Sequence, residues 1–371
     1  MLFLNLLYGE SLFAKPISLR DKIGQMLIMG FDGKTVTHQS DIIKAINHEN
    51  IGGVVLFDYD YQTQRFDRNI ESPAQVKKLN QDLQYFTQQA NRNHHRPMLP
   101  LLISVDYEGG QVTRLREDYG FPKTMSAAEI GTKSLPEAEQ AADAIAQTLQ
   151  KSGFNLDFAP DLDINANPNN PIIGKKERSF SNDPATVAKF ASVFSKAFLS
   201  HGIQCAYKHF PGHGSSSNDS HLGFVDVSKT WDASELFPYL SLLREQQSCG
   251  IVMTAHIVNR QLDSSGMPAT LSYKMLTGIL RKQLSFDGVI MTDDMQMKAI
   301  SNQYPLEQSV TLAINAGADM LIFGNQLSEK PQSAKQIIDI IESKVQSGEI
   351  SLSRIDDAYQ HITTLKQSIN D

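Results

Sequence analysis

Eight short apolar runs recur along the chain, and longer amphipathic segments separate them. The runs are near-continuously hydrophobic and lack the alternation of a strand with one wet face, so they predict parallel strands covered on both sides. Eight strands with helices between them match the composition of a (β/α)₈ barrel of the TIM type. Periodicity alone leaves a doubly wound open sheet as the alternative. The predicted strands are 25–31, 53–57, 101–106, 154–160, 203–208, 251–256, 288–293 and 319–324.

The segments between the runs have helical periodicity. Several end in glycine, which readily takes the left-handed conformation that ends a helix. Gly153 and Gly202 each stand directly before a predicted strand and therefore predict short turns. No linker or composition shift divides the chain, so we expect residues 17–371 to form one α/β domain. The predicted helices are 74–92, 135–153, 183–202, 273–284 and 306–318, with two closing helices in 333–369.

Polar side chains gather where the predicted strands end. A single charged residue after an apolar run only marks emergence into solvent, but nearly every run shows the pattern. The carboxyl ends of barrel strands form one rim, where the active sites of such barrels lie, so the pattern favours the barrel over the open sheet. These side chains are Asp106, Asp161, Asp163, Lys208, His209, His256, Asp293, Asp294 and Asn325.

The charge balance excludes one class of partner. The 371 residues carry 34 basic and 41 acidic side chains, a formal net charge of −7, with no long basic run. This balance argues against a nucleic-acid binder. Residues 1–16 are apolar and read as a remnant secretion signal or an N-terminal extension, and no other run approaches the roughly 18 apolar residues of a membrane span. We expect a monomer without membrane insertion, cytoplasmic unless residues 1–16 are a clipped signal peptide, and then periplasmic or secreted.

The chain has two cysteines, Cys205 and Cys249, each in an apolar stretch. Two cysteines cannot supply a disulfide framework. We expect both to be buried free thiols.

Acids and arginines follow the predicted strands in patterns that suit a polar ligand. In "GVIMTDDM", Asp293 ends an apolar run and Asp294 follows, so one carboxylate can cap the next helix while the other faces a cavity. In "SVDYEGGQVTRLR", Asp106 can accept from two vicinal sugar hydroxyls and Arg114 offers a fork of donors, although a simple ion pair between them fits as well. Arg178, in "NNPIIGKKERSFSNDP", fits a solvated surface residue when taken alone.

The stretch "YKHFPGHGSSSNDSH", residues 207–221, crowds three histidines into a loop that proline and glycine keep irregular. His209, His213, Asp219 and His221 reach the ligand count of a metal site, but the spacing matches no metal motif and the loop is too flexible to preorganise ligands. Asp219 and His221 are two residues apart, so in an extended segment they point the same way. There the carboxylate can orient the imidazole as an acid–base pair.

Five motifs occur in one order along the chain: "SVDYEGGQVTRLR", "IGKKERSFSNDP", "YKHFPGHGSSSNDSH", "MTAHIVNRQLDSSGMPATLS" and "LRKQLSFDGVIMTDDMQM". Together they resemble glycoside hydrolase family 3, and within it the single-domain β-N-acetylhexosaminidases. "KHFPGHG" followed by "DSH" is the most specific part of the likeness, which spans Ile17 to the C-terminus.

The resemblance implies a role for each motif residue. The family's nucleophile falls on Asp293, and its general acid/base on His221 with Asp219 as partner. The sugar-contacting positions fall on Asp106, Arg114, Arg178, Lys208 and His209, while His213 shapes the loop. No metal and no cofactor are implied.

The implied activity is a retaining exo-hydrolysis of terminal β-linked N-acetylglucosamine, most plausibly in peptidoglycan or other cell-wall fragments, so the expected partner is a small carbohydrate. A β-glucosidase or an N-acetylglucosaminide phosphorylase with the same dyad stays open within the family. Outside it, a metal-dependent barrel hydrolase would lose activity to a chelator. A catalytically dead sugar-binding protein would be expected to lack Asp293 or His221, and both are present.

Overall fold

The computed structural model describes residues 17–61, 63–327 and 331–369, so the predicted signal remnant at 1–16 lies outside the described residues. Eight parallel strands close into a barrel in the order β1-β10-β9-β8-β7-β6-β3-β2. The barrel strands are β1 (Leu27–Gly30), β2 (Gly53–Val55), β3 (Leu102–Val105), β6 (Leu156–Asp157), β7 (Gln204–Phe210), β8 (Ile251–Thr254), β9 (Val289–Asp294) and β10 (Met320–Phe323). The predicted barrel is confirmed, and each of the eight apolar runs coincides with one strand, although β7 and β9 extend past their predicted ends.

A short antiparallel hairpin, β4 (Tyr107–Gly109) and β5 (Val112–Thr113), follows β3 and was not predicted. Gly109 and Gly110 have φ of 99° and 56°, in the left-handed region that glycine adopts without strain. A Cβ on Gly109 would lie 2.3 Å from the Met125 carbonyl oxygen. Only glycine therefore lets this hairpin fold tightly beside the end of β3.

Helices surround the barrel, and their ends follow ordinary capping chemistry. Ser72 caps the helix at Pro73–Asn93 by accepting from the Gln75 amide, and Ser134 forms a capping box with Glu137. The α-helices are α1 (Leu19–Gln25), α2 (Asp41–Lys44), α3 (Pro73–Asn93), α4 (Ala127–Ile130), α5 (Leu135–Ser152), α6 (Pro184–Ser200), α7 (Phe237–Leu242), α8 (Lys298–Ser301), α9 (Leu306–Ala316), α10 (Ala334–Gln346) and α11 (Leu352–Gln367). Shorter 3₁₀ segments lie at Glu117–Tyr119, Ala233–Leu236 and Ala269–Leu271, and π-helical segments at Ala45–Glu49 and Lys274–Gln283.

The two ends of the described chain meet at the amino-terminal face of the barrel. Arg20 of α1 pairs with Asp339 of α10 at 2.8 Å. Lys366 of α11, 1% exposed, donates to the Gln25 side chain and to the Gly52 carbonyl, each at 2.7 Å. These contacts, a surface ion pair and a buried ammonium, tie the closing helices to the first helix and leave the opposite face of the barrel open.

Cys205 and Cys249 form a disulfide, so the prediction of two free thiols was wrong. Both residues are buried, as expected. Strands β7 and β8 are neighbours, and Ala206 pairs with Ile251. Cys205 directly precedes Ala206 and Cys249 lies two residues before Ile251, so the two cysteines lie close together near the start of adjacent strands. Their Cα atoms are 4.9 Å apart, within the range that a disulfide requires.

Among the residues described, no helix combines the length and the apolar character needed to cross a bilayer.

Candidate active site

A cavity of about 520 Å³ lies at the carboxyl ends of the strands. Phe57, Val55, Phe158, Met253 and Ile322 supply apolar wall, and charged groups converge among them. All eight side chains predicted for the site line this one cavity: Asp106, Arg114, Arg178, Lys208, His209, Asp219, His221 and Asp293.

The cavity floor is a network of buried charges that we define as Asp106, Glu108, Arg178, Lys208 and His209. The Lys208 ammonium donates to Glu108 Oε1 at 2.5 Å and to Asp106 Oδ1 at 3.1 Å. Arg178 donates to both oxygens of Glu108, at 2.8 and 2.7 Å, in the bidentate geometry that suits a guanidinium and a carboxylate. Arg178 is only 9% exposed, which excludes the solvated surface arginine that its loop also allowed.

Burial and charge compete across this floor, and charge prevails. Burial favours the neutral form of Lys208, but the charges of Glu108 and Asp106 raise its pKa above the ordinary value. Burial likewise opposes ionisation of Asp106, but Lys208 and Arg114 hold its pKa well below the usual range. The four charged groups of the floor therefore stay ionised at neutral pH and present fixed donors and acceptors: Asp106, Glu108, Arg178 and Lys208.

Asp106 has a second cationic neighbour, Arg114, which directly follows β5. Arg114 Nη2 lies 3.5 Å from Asp106 Oδ2, and its Nη1 lies 3.9 Å from the buried Asp58. The ion pair that the sequence allowed between Asp106 and Arg114 is thus present. Both side chains still line the cavity, so the pair is compatible with ligand contact.

His209 has both ring nitrogens occupied. Its Nδ1 donates to Asp163 Oδ2 at 2.7 Å, which leaves Nε2 to accept from Arg178 Nη2 at 3.3 Å. An imidazole with a carboxylate on one side and a guanidinium on the other is held in one orientation. It lines the cavity but is badly placed to carry a proton back and forth.

Asp293 and Asp294 are adjacent at the end of β9, but their carboxylates make different contacts. Asp294 Oδ1 accepts from the Gln296 amide at 3.0 Å and shapes the turn, while burial raises the pKa of Asp294 to about 7. Asp293 lines the cavity and accepts from the Asp294 amide at 2.8 Å. Burial opposes ionisation of Asp293, but the imidazoles of His256, His209 and His221 lower its pKa. Asp293 is therefore a carboxylate poised as a base or nucleophile.

The segment 211–224, which we call the histidine loop, carries the predicted acid–base pair. Asp219 Oδ1 accepts from both the backbone amide and Nδ1 of His221, each at 2.8 Å. The pair forms in a turn and not in the extended segment we expected, because the carboxylate folds back onto its own backbone. Burial lowers the pKa of His221, but the hydrogen bond to Asp219 and the charge of Asp293 outweigh it and raise that pKa. Since Nδ1 is committed to Asp219, Nε2 is the atom free to exchange a proton.

The root of the histidine loop is packed into the barrel. The His213 amide donates to Asp163 at 2.6 Å, and the Gly214 amide donates to Glu235 at 3.0 Å. A Cβ on Gly214 would lie 1.8 Å from the Ile164 carbonyl oxygen. Burial lowers the pKa of His213 to about 4, so this imidazole is neutral near pH 7. His213 is a structural member of the loop.

The four ligands considered for a metal do not converge, because His209, His213 and His221 bond to Asp163, Ser220 and Asp219 respectively. Within the described ranges, one group of carboxylates and imidazole is compact enough for a metal: Asp161, Asp163 and His209, with ligand atoms within 4.8 Å of one another. Arg178 already lies there, 3.4 Å from Asp161 and 3.3 Å from His209. A guanidinium in that place opposes a second cation, so these residues fit a metal poorly.

Sequence reasoning missed Glu108 and gave Asp161 and Asp163 no role. Glu108 stands two residues after Asp106, so its position inside "SVDYEGG" was visible. Its partners Arg178 and Lys208 lie 70 and 100 residues away, and only the closed barrel brings the three together. The available signal was an acid without an assigned role, two residues after Asp106, which was already assigned to the site.

Residues 18–365 of the chain match the protein family described as "Glycosyl hydrolase family 3 N terminal domain". "Beta-hexosaminidase A" from Pseudoalteromonas piscicida is 32% identical over 337 residues, 83% of this chain and 54% of that protein. "Beta-hexosaminidase LpqI" from Mycobacterium tuberculosis is 30% identical over 94% of this chain and 83% of its own length. The chain thus spans about half of the first relative and most of the second.

Solved structures give the same picture of the fold. A family 3 β-N-acetylglucosaminidase from Paenibacillus sp. str. FPU-7 is 34% identical, with a TM-score of 0.84 over 96% of this chain and 63% of that chain. A β-N-acetylhexosaminidase from Beutenbergia cavernae is 27% identical, with a TM-score of 0.82 over 95% of this chain and 99% of that chain.

Proposed function

The chain belongs to glycoside hydrolase family 3, and on that premise we propose that it is a retaining β-N-acetylhexosaminidase that releases terminal N-acetylglucosamine. The observation that carries the proposal is the convergence, in one cavity, of an ionised carboxylate at a strand end and an imidazole aligned by its own carboxylate. A retaining glycosidase needs a nucleophile and a proton donor that flank the scissile glycosidic bond.

Asp293 is the nucleophile in this proposal. Its lowered pKa keeps it ionised at neutral pH, and the Asp294 amide fixes one of its oxygens. The carboxylate attacks the anomeric carbon as the bond to the leaving oxygen breaks, which gives a covalent glycosyl-enzyme. Water then breaks that ester in the second displacement.

His221 moves the proton in both displacements. In the first step Nε2 gives its proton to the departing oxygen, and in the second the same atom takes a proton from the attacking water. Asp219 on Nδ1 stabilises the imidazolium formed in the second step and keeps the ring turned the same way.

The cavity floor recognises the sugar. Asp106, Lys208 and Arg178 are ionised and held by one another, so they offer donors and acceptors without a large reorganisation on binding. His209, fixed between Asp163 and Arg178, and Arg114 at the side complete the set. Neutral hydroxyl and acetamido groups satisfy such a floor better than a charged sugar would.

We extend the proposal to cell-wall fragments as the source of that sugar. Lys176 and Lys298 line the cavity and are exposed, and neither forms an ion pair with any residue in 17–61, 63–327 or 331–369. Muramyl residues and their peptides carry carboxylates, which these ammonium groups would attract. The disulfide between Cys205 and Cys249 supports the periplasmic or secreted alternative, because such bonds persist in oxidising compartments.

The proposal is tested by trapping the intermediate. A 5-fluoro N-acetylglucosaminyl substrate should leave a sugar adduct on the peptide that contains Asp293, and Asp293→Asn should lower turnover by several orders of magnitude while thermal unfolding is unchanged. An adduct on Asp294, or none in an active enzyme, contradicts the assignment. Faster hydrolysis of a β-glucoside than of the N-acetylglucosaminide, or a dependence on added phosphate, would instead select the β-glucosidase or the phosphorylase.

A further inference from the structure

The loop after β2 places an aromatic ring at the mouth of the cavity. Tyr61 lines the cavity together with the floor residues Asp106 and Lys208, yet 55% of its surface is exposed. Phe66, on the returning arm of the same loop, is 51% exposed. None of the sequence motifs includes these residues, and the reaction chemistry does not use them.

The loop is a folded element, and we call its described residues 58–61 and 63–66 the aromatic hairpin. Asp60 and Arg65 exchange backbone hydrogen bonds at 2.8 and 3.3 Å. The Tyr59 ring contacts both other rings, with centroids 4.8 Å from Tyr61 and 4.8 Å from Phe66. Tyr59 and Tyr61 meet edge to face at 88°, so they do not cover one another by stacking.

Charged groups at its base hold the aromatic hairpin in place. The Arg116 guanidinium lies 4.3 Å from the centre of the Phe66 ring and donates to Asp58 Oδ2 at 2.6 Å. Asp58 is completely buried at the end of the β2 segment. Directly after the hairpin, Arg68 is buried and donates to the carbonyls of Phe31, Gly324 and Asn325. Tyr61 is thus presented on a preorganised support, which lowers the entropic cost of binding through it.

From this geometry, and resting on the proposed function, we infer that Tyr61 is the binding platform for the ring of the N-acetylamino sugar on the leaving-group side of the scissile bond. With the terminal sugar on the floor, the next sugar must pass through the mouth, where Tyr61 stands. One face of a β-linked pyranose presents axial C–H groups, and these pack favourably on the negative face of an aromatic ring. Continuity with the sugar-binding floor argues for a sugar ring over an unrelated apolar partner.

The test measures binding apart from turnover. In an Asp293→Asn background, the affinity for N,N′-diacetylchitobiose relative to N-acetylglucosamine should fall about tenfold on Tyr61→Ala, the change expected for loss of one ring contact. Tyr61→Phe, which keeps the ring, should retain the affinity ratio. Tyr85→Ala is the matched control, because Tyr85 is 56% exposed on α3 and does not line the cavity. An affinity ratio that Tyr61→Ala leaves unchanged overturns the inference, whether or not the protein hydrolyses either sugar.

Kinetics on the otherwise wild-type chain give the second readout. Tyr61→Ala should raise the KM for diacetylchitobiose about tenfold and leave kcat/KM for N-acetylglucosaminyl fluoride within twofold, because fluoride has no ring to bind. Equal losses on both substrates would assign Tyr61 to the floor or to folding and contradict the platform. Absence of hydrolysis with a Tyr61-dependent disaccharide affinity would contradict the proposed function and leave the platform supported.

Discussion

On the cavity floor, Lys208 is 2% exposed and bonds to two carboxylates, one of which also holds Arg178 by two hydrogen bonds. In the histidine loop, the His221 side chain is 47% exposed and, within the described part of the chain, bonds to Asp219 alone. The floor comes from strand ends and the residues that follow them, whereas the loop spans a stretch that proline and glycine keep irregular. In the proposed function, binding therefore falls to groups that cannot move without breaking buried ion pairs, and proton transfer falls to a more exposed group held through Asp219.

That difference predicts opposite consequences of mutation. Replacing a floor residue strands buried charges, so stability and activity should fall together. Replacing the exposed His221 of the loop affects solvent contact and one partner, so activity should fall while stability is unchanged. The predictions below separate the two regions by measuring both quantities on each variant.

The largest effect on activity within this comparison is expected for His221→Ala. Loss of the proton donor should slow diacetylchitobiose hydrolysis by roughly 10²- to 10⁴-fold, with a much smaller effect on release of nitrophenol, which departs without protonation. A burst of nitrophenol should appear because the second displacement also loses its base. Urea unfolding should shift by less than about 0.5 kcal/mol. Equal losses on both substrates without a burst would mean that His221 is structural, and the cavity floor and the histidine loop would then not differ in role.

Glu108→Ala should show the reverse pattern, with the largest effect on stability. Removing this carboxylate leaves Lys208 and Arg178 buried with fewer counter-charges, which costs about 3–5 kcal/mol when one partner of a buried pair is removed. Urea unfolding measures the change, and Glu117→Ala, an exposed acid of the nearby 3₁₀ segment, is the control. A shift below about 1 kcal/mol for Glu108→Ala would mean that the floor is not held by its charges.

A smaller effect is expected for Asp219→Asn, read from the pH profile. The proton donor must be protonated, so kcat/KM for diacetylchitobiose falls as pH rises through the pKa of His221. Asp219 raises that pKa, so the basic limb of the wild-type profile should lie above about pH 6.5 and move to lower pH in Asp219→Asn. Kcat/KM at the optimum should fall roughly tenfold. A limb that does not move would show that Asp219 leaves the His221 proton unaffected.

Much of this architecture was predictable from local pattern. Each barrel strand was visible because both of its faces are buried, and Val54 and Ile322 each stand in a run of apolar residues without polar interruption. Helix ends were marked by capping residues such as Ser134 and Gly153. Boundaries were less exact, since β7 continues through His209 and Phe210 beyond its predicted end at 208.

What could not be predicted depends on approach in three dimensions. The β4–β5 hairpin is too short to show a period. Whether Cys205 meets Cys249 depends on strand adjacency, and nothing in "IQCAY" or "SCGIVM" encodes it. Glu108 likewise gains its place only when β3 and β7 bring it to Lys208. The candidate residues were found because the resemblance implies roles for their motif positions, whereas Glu108 lies inside a motif without such a role and Asp163 lies outside every motif.

The disulfide makes the segment between its cysteines a covalent ring. The ring spans 44 positions and contains the whole histidine loop, and on a chain-entropy estimate such a closure is worth about 4 kcal/mol. Ser217, Asn218 and Leu222 are exposed at its outer edge, where a protease would first reach the backbone. A cut there opens the ring but releases nothing, because each new end remains attached through Cys205 and Cys249 to a neighbouring barrel strand. A chain cut in the histidine loop would thus remain one covalent molecule for as long as its surroundings remain oxidising.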